Sequence, residues 1–292
     1  MTQPTLSTAG RYVILVVAFL GWLCAGVHMS VTQLTGQAAA IHLLDHDSIL
    51  EAERYQSLSK QPKDALSSSD KAQLDAWRPH VARWFAWMQC AFLFGAATGG
   101  LVFGWLGDRV GRSKAMAASI LTYSALAAAA SCAQSPVQLC FLWFLACTGV
   151  GGMWPNGVAL VSEAWSGMSR PMVAGVIGVA ANIGIFLFAS LDRAVKTTPD
   201  NWRWAMLVAA GPIVLGVLAL FIVPESPRWL AAQATSRDGP GADPSGAGVF
   251  RPPLLGITIV AIVLATVPMI GGWGTANWMN PWAEEAGGAV LK

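Results

Sequence analysis

The stretch GWLGDRVGRSK, Gly104–Lys114, decides the fold of this protein. It places Asp108, Arg109, Arg112 and Lys114 between two long apolar runs, in a chain of which only 12% is charged. Its glycines allow the backbone to turn tightly. A short charged stretch between two apolar runs is typical of a loop that joins two membrane-spanning helices. The sequence therefore predicts an integral membrane protein with a short, positively charged loop at this position.

Composition agrees with a membrane protein and excludes several other classes. Apolar residues make up 54% of the chain, and tryptophan, which favours membrane interfaces, outnumbers tyrosine by 14 to 3. The five cysteines lie in apolar runs without metal-ligand spacing, so we expect buried thiols rather than disulfides. The sequence contains no dinucleotide fingerprint, P-loop or HExxH motif and no basic stripe. We therefore expect no cofactor, no metal site, no nucleic-acid partner and no enzyme activity.

Seven segments are long and apolar enough to span a membrane. They are residues 12–32, 84–106, 115–133, 137–161, 171–191, 204–223 and 254–275. Backbone groups in hydrocarbon must bond within their own segment, so each is predicted to be a helix. The alanine-rich segment 115–133 has the weakest hydropathy of the seven. The first segment, which follows Arg11, also fits a signal peptide, and the sequence leaves that alternative open.

These spans divide the chain into three regions. Residues 1–230 form a predicted bundle of six helices, with a polar extracytoplasmic loop at 33–83 in which Ser67–Asp70 indicates a helix start. Residues 231–252 are rich in glycine, proline and serine, and they are predicted to form a cytoplasmic linker. Residues 253–292 carry a seventh spanning helix. Basic residues favour the cytoplasmic side, so the charge of Gly104–Lys114 predicts an N-terminus in the cytoplasm.

Three motifs resemble the major facilitator superfamily. Gly104–Lys114, here named the signature loop, is similar to that family's Gly-x-Leu-small-Asp-Arg-x-Gly-Arg loop between helices two and three. PESPRWL, Pro224–Leu230, is named the helix-six motif, because it resembles the end of helix six in the sugar-porter and organic-acid-transporter branches. Gly149–Asn156 followed by Glu163 resembles a helix-four motif of the same branches. The resemblance implies an all-α integral membrane fold, with a six-helix N-terminal bundle plus a seventh transmembrane helix.

The resemblance also assigns residues to a conformational gate on the cytoplasmic side. A carboxylate at the inner end of a span needs a partner, and Glu163 is expected to join a charge cluster with the signature loop and the helix-six motif. The predicted gate residues are Gly104, Gly107, Asp108, Arg109, Gly111, Arg112, Glu163, Glu225 and Arg228.

Three polar residues within the spans are candidates for substrate or proton binding. Asn156 and Asn182 lie on small-residue helix faces, where they are predicted either to bind substrate or to hold helices together. In proton-coupled relatives, acids usually occupy two positions of helix one that are held here by Ala25 and His28, and a histidine changes charge near neutral pH. A histidine satisfied by a neighbouring helix is the alternative. Trp143 replaces the arginine usual in the helix-four motif, so facilitated diffusion stays open.

The resemblance implies a secondary active transporter of a small polar metabolite, a sugar or an organic acid. Its partners would be the lipid bilayer of a bacterial inner membrane, the substrate and protons, and it would work by alternating access. The chain covers little more than the first half of a family member, so we expect a truncated transporter with an incomplete C-terminal bundle. The alternative is a non-transporting membrane protein, such as a sensor, a partner subunit or an inactive fragment.

Overall fold

The computed structural model describes residues 6–165, 167–237, 251–267, 270–272 and 275. Apart from a short 3₁₀ turn at Lys63–Ala65, the regular elements in these residues are all α-helices. The helices are α1 (Thr8–His46), α2 (Ala52–Ser59), α3 (Ser68–Val110), α4 (Arg112–Ala130), α5 (Pro136–Ala164), α6 (Arg170–Val195), α7 (Arg203–Ala210), α8 (Ile213–Ile222) and α9 (Pro227–Arg237). The predicted all-α membrane fold is confirmed.

Six helices within the described residues are long and apolar enough to cross a membrane. They correspond to six of the seven predicted segments, with α7 and α8 together forming one span, Arg203–Ile222. The exception is α4, which has 19 residues but is rich in alanine and hydroxyl side chains. Many of its residues, including Ala117, Ile120 and Tyr123, are fully buried. Because α4 is covered by other helices, it needs less apolar surface than a helix exposed to lipid.

Two helices extend far beyond the predicted spans. α1 has 39 residues and α3 has 43, so they measure roughly 58 and 64 Å, against a hydrocarbon core of about 30 Å. Residues 33–46 therefore continue α1, and residues 68–83 begin α3, so much of the predicted loop 33–83 is helical. The predicted start of α3 is confirmed, since the Ser67 hydroxyl accepts a hydrogen bond from the Asp70 amide at 3.1 Å.

The bundle is held by close contacts between helix backbones. Gly99 of α3 lies directly against the backbone of Thr148 in α5, and Gly151 of α5 lies against Ala96 in α3. Glycines allow such approach in membrane helices, where packing rather than hydrophobicity drives association. α1 likewise packs along α6, α5 and α3. α1 is thus a structural member of the bundle, which is not the role of a cleaved signal peptide.

The predicted sixth span is interrupted at Gly211 and Pro212, which separate α7 from α8. Pro212 lacks the N–H that would continue the helical hydrogen bonds, so the helix is interrupted at this proline.

Residues Thr235–Lys292 form a second compact unit. Its described helix lies within the candidate span Leu255–Gly272, and none of that helix's described residues is buried. The predicted linker 231–252 starts as helix, because α9 runs to Arg237. Residues 238–250 and 276–292 of the predicted linker and helix seven lie outside the described residues.

Candidate functional site

The signature loop is almost entirely helical. α3 ends at Val110 and α4 begins at Arg112, so Gly111 alone connects them. Gly111 has a φ of +111°, a conformation that residues with a side chain rarely adopt. The turn between the second and third spans therefore depends on one glycine, and the loop charges lie on the adjoining helix ends.

Glu225 of the helix-six motif caps the N-terminus of α4. Its carboxylate accepts hydrogen bonds from the Ser113 amide at 3.1 Å and from the Ser113 hydroxyl at 2.8 Å. A side chain on Gly111 would collide with this carboxylate. A negative charge at a helix N-terminus is stabilised by the free N–H groups and by the helix dipole. Glu225 therefore binds α4 through Ser113, and no cation pairs with it among the residues that the structure describes.

The charged residues of the signature loop interact mainly with one another. Arg112 donates to Asp108 at 2.5 Å, one helical turn apart in sequence across Gly111. The guanidinium of Arg109 lies over the Trp105 ring, 4.3 Å from its centroid. The Asp108 side chain remains 55% exposed, whereas that of Arg112 is 21% exposed. The pair thus presents its acidic member to the surroundings.

The rest of the helix-six motif reaches α3 and α5. The Ser226 hydroxyl, which is buried, donates to the carboxylate of Glu163 at the end of α5. It also accepts from the Trp229 amide at 3.1 Å and so caps α9. The Trp229 indole donates to the Asp108 carbonyl at 2.9 Å, at the end of α3. The motif therefore contacts the ends of α3, α4 and α5 together.

The structure brings together most of the predicted gate residues, but not as one cluster of ion pairs. Glu163 and Glu225 are bound by serines rather than by arginines. Arg228 is exposed and has no hydrogen-bond or ion-pair partner among the described residues. A side chain on Gly104 would meet nothing within 4 Å, whereas Gly107 lies against Asn156. Sequence reasoning missed Ser113 and Ser226, although a serine directly before Pro227 indicates a helix cap.

The two candidate asparagines have different surroundings. Asn156 is fully buried, and its amide nitrogen donates at 2.9 Å to the carbonyls of Phe103 in α3 and Gly152 in α5. It joins two helices, as the alternative interpretation predicted. Asn182 is exposed on α6, and its amide nitrogen donates to the Gly178 carbonyl at 3.2 Å. The Asn182 side chain is therefore exposed, whereas both donors of Asn156 are in use and its buried amide oxygen has no hydrogen-bond partner among the described residues.

His28 is fully buried, and neither of its ring nitrogens has a hydrogen-bond partner among the described residues. Its ring centroid lies 6.1 Å from that of Tyr123 in α4, whose hydroxyl donates to the Gly21 carbonyl. The histidine is thus inside the bundle, between α1 and the neighbouring α4. Trp143, which replaces the usual arginine, is also fully buried with an unpaired indole N–H.

A further polar cluster lies at the other end of α4 and was missed by sequence reasoning. Arg203 donates at 2.9 Å to the Ser131 carbonyl, at 2.8 Å to the Ala133 carbonyl and at 2.9 Å to Nε2 of His42. Its guanidinium also lies 4.6 Å from the centroid of the Trp202 ring. Arg203 therefore ties α7 to α1 and to the C-terminus of α4. An arginine between two tryptophans at the start of a span was the available signal.

Comparison with known families agrees with this arrangement. Residues 11–239 match the family model described as "Sugar (and other) transporter". The chain belongs to the sugar (and other) transporter family. The match includes the first six predicted spans, the signature loop and the helix-six motif. Membership of this family places the chain among membrane transport proteins rather than enzymes.

Curated relatives are bacterial and animal transporters. The chain is 33% identical to the inner membrane metabolite transport protein YgcS of Escherichia coli over 48% of its length and 32% of the relative's. It is 28% identical to the cis,cis-muconate transport protein of Acinetobacter baylyi, over 68% of this chain and 49% of that protein. It is also 28% identical to the gentisate transporter of Corynebacterium glutamicum, over 66% of this chain and 44% of that protein. The chain spans about half or less of the length of these relatives.

Solved structures of the family share the fold. The inward-open xylose transporter XylE of Escherichia coli covers 90% of this chain with 56% of its own, at a TM-score of 0.55 and 17% identity. A double tryptophan mutant of XylE also gives a TM-score of 0.55, at 20% identity. These likenesses confirm the fold of the major facilitator superfamily for this chain.

Proposed function

We propose that the protein is a secondary transporter of a small organic acid or sugar in a bacterial inner membrane, with its N-terminus in the cytoplasm. Family membership supports transport, and the relatives named for muconate and gentisate support an organic acid. The single observation that carries the proposal is the binding of the helix-six motif to the ends of α3, α4 and α5. That arrangement makes the signature-loop end of the bundle one connected body.

A connected body of this kind suits a gate in alternating access, which moves one helix bundle against another around a central site. Two of its charged groups, Asp108 and Arg228, are exposed. We propose that they pair with an opposing surface when the cytoplasmic side closes and separate when it opens. Contacts of this type each contribute about 1 kcal/mol or less, so several can bias the two states without locking either one.

Substrate and proton would use different residues. Asn182 is the proposed substrate contact, because it is exposed in the middle of α6, while Asn156 holds α3 and α5 together. His28 is the proposed proton site, because its two ring nitrogens are buried and unpaired. Tyr123 is the titratable group that faces it from α4. His28 and Asn182 lie on different helices, so protonation would act on substrate binding through the packing of α1 against α6.

Uptake by proteoliposomes tests the gate. The protein is expressed from its complete gene, reconstituted, and given labelled organic acids and sugars with and without an imposed pH gradient. We expect Arg112→Ala and Asp108→Asn to abolish uptake at normal expression, since each removes one member of the loop ion pair. Lys114→Ala is the matched control, because Lys114 is an exposed cation of the same loop, and it should transport normally.

Unchanged uptake by both gate variants would remove the gate role. Uptake that ignores the pH gradient would make the protein a facilitator and exclude His28 as a coupling site. No uptake of any compound by the wild-type protein would contradict the proposed function and favour a non-transporting role.

A further inference from the structure

Two tryptophans from different helices meet in the bundle. Trp22 of α1 and Trp154 of α5 have ring centroids 4.9 Å apart and ring planes inclined by 48°. Neither ring is fully buried, so part of each remains accessible. Such a tilted pair presents a broad apolar surface with negative ring faces, on which another ring can stack.

α6 borders the surface formed by Trp22 and Trp154. A Cβ at Gly178 would be 3.9 Å from the Cη2 atom of Trp154, so α6 passes directly beside the indole. Asn182 follows one turn later and is exposed; its amide nitrogen donates to the Gly178 carbonyl, and its oxygen has no hydrogen-bond partner in the described part of the chain. One turn before, Gly175 has nothing within 4 Å of a Cβ position. Gly178 thus brings α6 close to the Trp154 indole, and the space beside Gly175 is open.

Tryptophan and asparagine are both unusual in the middle of a membrane-spanning helix. Asn182 is at the middle of α6, which runs from Arg170 to Val195. Trp22 is at the middle of the predicted span 12–32. Tryptophans of membrane proteins favour the two interfaces, and exposed polar side chains at mid-span favour a water-filled cavity over lipid. The aromatic pair and the amide are therefore better explained by a ligand cavity than by contact with the bilayer.

We propose that Trp22, Trp154 and Asn182 form a binding site for a planar, conjugated organic acid. The ring or conjugated chain of the ligand stacks on Trp154 and Trp22, and a polar substituent hydrogen-bonds to Asn182. Its carboxylate stays at the water-filled side of the cavity. This assignment rests on the proposed transport function and names the substrate class of its central site.

The surroundings of Asn182 favour an aromatic or conjugated ligand over a sugar. Its neighbours on the exposed side of α6 are Val179, Ile183 and Phe186, which are apolar. A sugar would bring hydroxyls on every edge, and each one desolvated without a partner weakens binding. A planar acid needs few hydrogen bonds along its ring faces. One amide beside two indoles therefore matches the acid.

Equilibrium binding to the purified full-length protein tests the site, with labelled gentisate as the aromatic probe and xylose as the sugar probe. We expect Trp154→Leu and Asn182→Leu each to raise the Kd for gentisate about tenfold or more, because stacking or a hydrogen bond is lost. Trp154→Phe keeps a ring and should stay close to wild type. Trp87→Leu is the matched control, because Trp87 is an exposed tryptophan on α3, away from this surface.

The outcomes separate the site from the transport function. Variants that bind and transport gentisate like the wild type would overturn the site while leaving transport intact. Tighter binding of xylose than of gentisate would overturn the substrate class. Absence of both uptake and binding for every compound would overturn the proposed function itself. Should Trp154→Leu fail to fold, Asn182→Leu decides, because its side chain is exposed and removing it leaves no cavity.

Discussion

At the scale of single residues, Gly111 is the described glycine whose backbone conformation and surroundings both disfavour a side chain. It combines a φ of +111° with the absence of room for a side chain beside Glu225. We predict that Gly111→Ala lowers the free energy of unfolding by roughly 1–3 kcal/mol, because it adds backbone strain and displaces the cap of α4. The measurement is thermal unfolding of the purified protein in detergent.

Gly104→Ala is the matched control for this prediction. Gly104 belongs to the same loop, lies inside α3 and has no atom within 4 Å of a Cβ position. Alanine also favours helix over glycine, so this variant should be as stable as the wild type or slightly more so. Equal melting temperatures for the two variants would show that Gly111 does not need its unusual backbone conformation.

At the scale of helices, α3 contacts α5 closely through only one of two adjacent glycines, Gly99 and Gly100. Gly99 lies against the backbone of Thr148, whereas the nearest atom to a Cβ at Gly100 is the Gly151 carbonyl oxygen at 3.8 Å. We predict that Gly99→Ala lowers the melting temperature, because the added methyl group forces the two helices apart, while Gly100→Ala leaves it unchanged. Thermal unfolding in detergent again supplies the measurement.

The reverse order of stability would contradict this helix register. An equal, small effect at both positions would mean that the helices separate easily. Asn156 would then be the main link between α3 and α5, through its hydrogen bond to the Phe103 carbonyl.

At the scale of the whole molecule, the charge of the bundle predicts its orientation in the membrane. The signature loop carries three basic residues and one acid within Asp108–Lys114, and short basic loops remain in the cytoplasm. We predict that a cysteine at Arg109 reacts with an impermeant maleimide only after cells are permeabilised, whereas one at Lys60 reacts in intact cells. Both are placed in a variant whose five native cysteines are replaced by alanine.

Lys60 and Arg109 are both exposed in the structure, so their reactivity reports the side of the membrane rather than burial. Labelling of position 109 from outside would reverse the orientation and contradict a cytoplasmic gate.

The sequence by itself determined the all-α membrane fold and most of the spans, and it identified the signature loop and the helix-six motif. Those properties depend on apolar length, on loop charge and on short motifs, all of which are local in the chain. It also indicated the start of α3 at Ser67 and the weak hydropathy of α4.

Only the tertiary structure decided which groups partner one another. Glu225 binds Ser113, 112 positions away, and Asn156 bonds to Phe103, 53 positions away. The aromatic pair of Trp22 and Trp154 likewise comes from two helices. Such contacts depend on how helices are rotated and staggered against one another, and helix periodicity alone leaves that rotation undetermined. The sequence therefore named the residues of the proposed gate, while the packing showed that serines and a backbone amide hold Glu163 and Glu225.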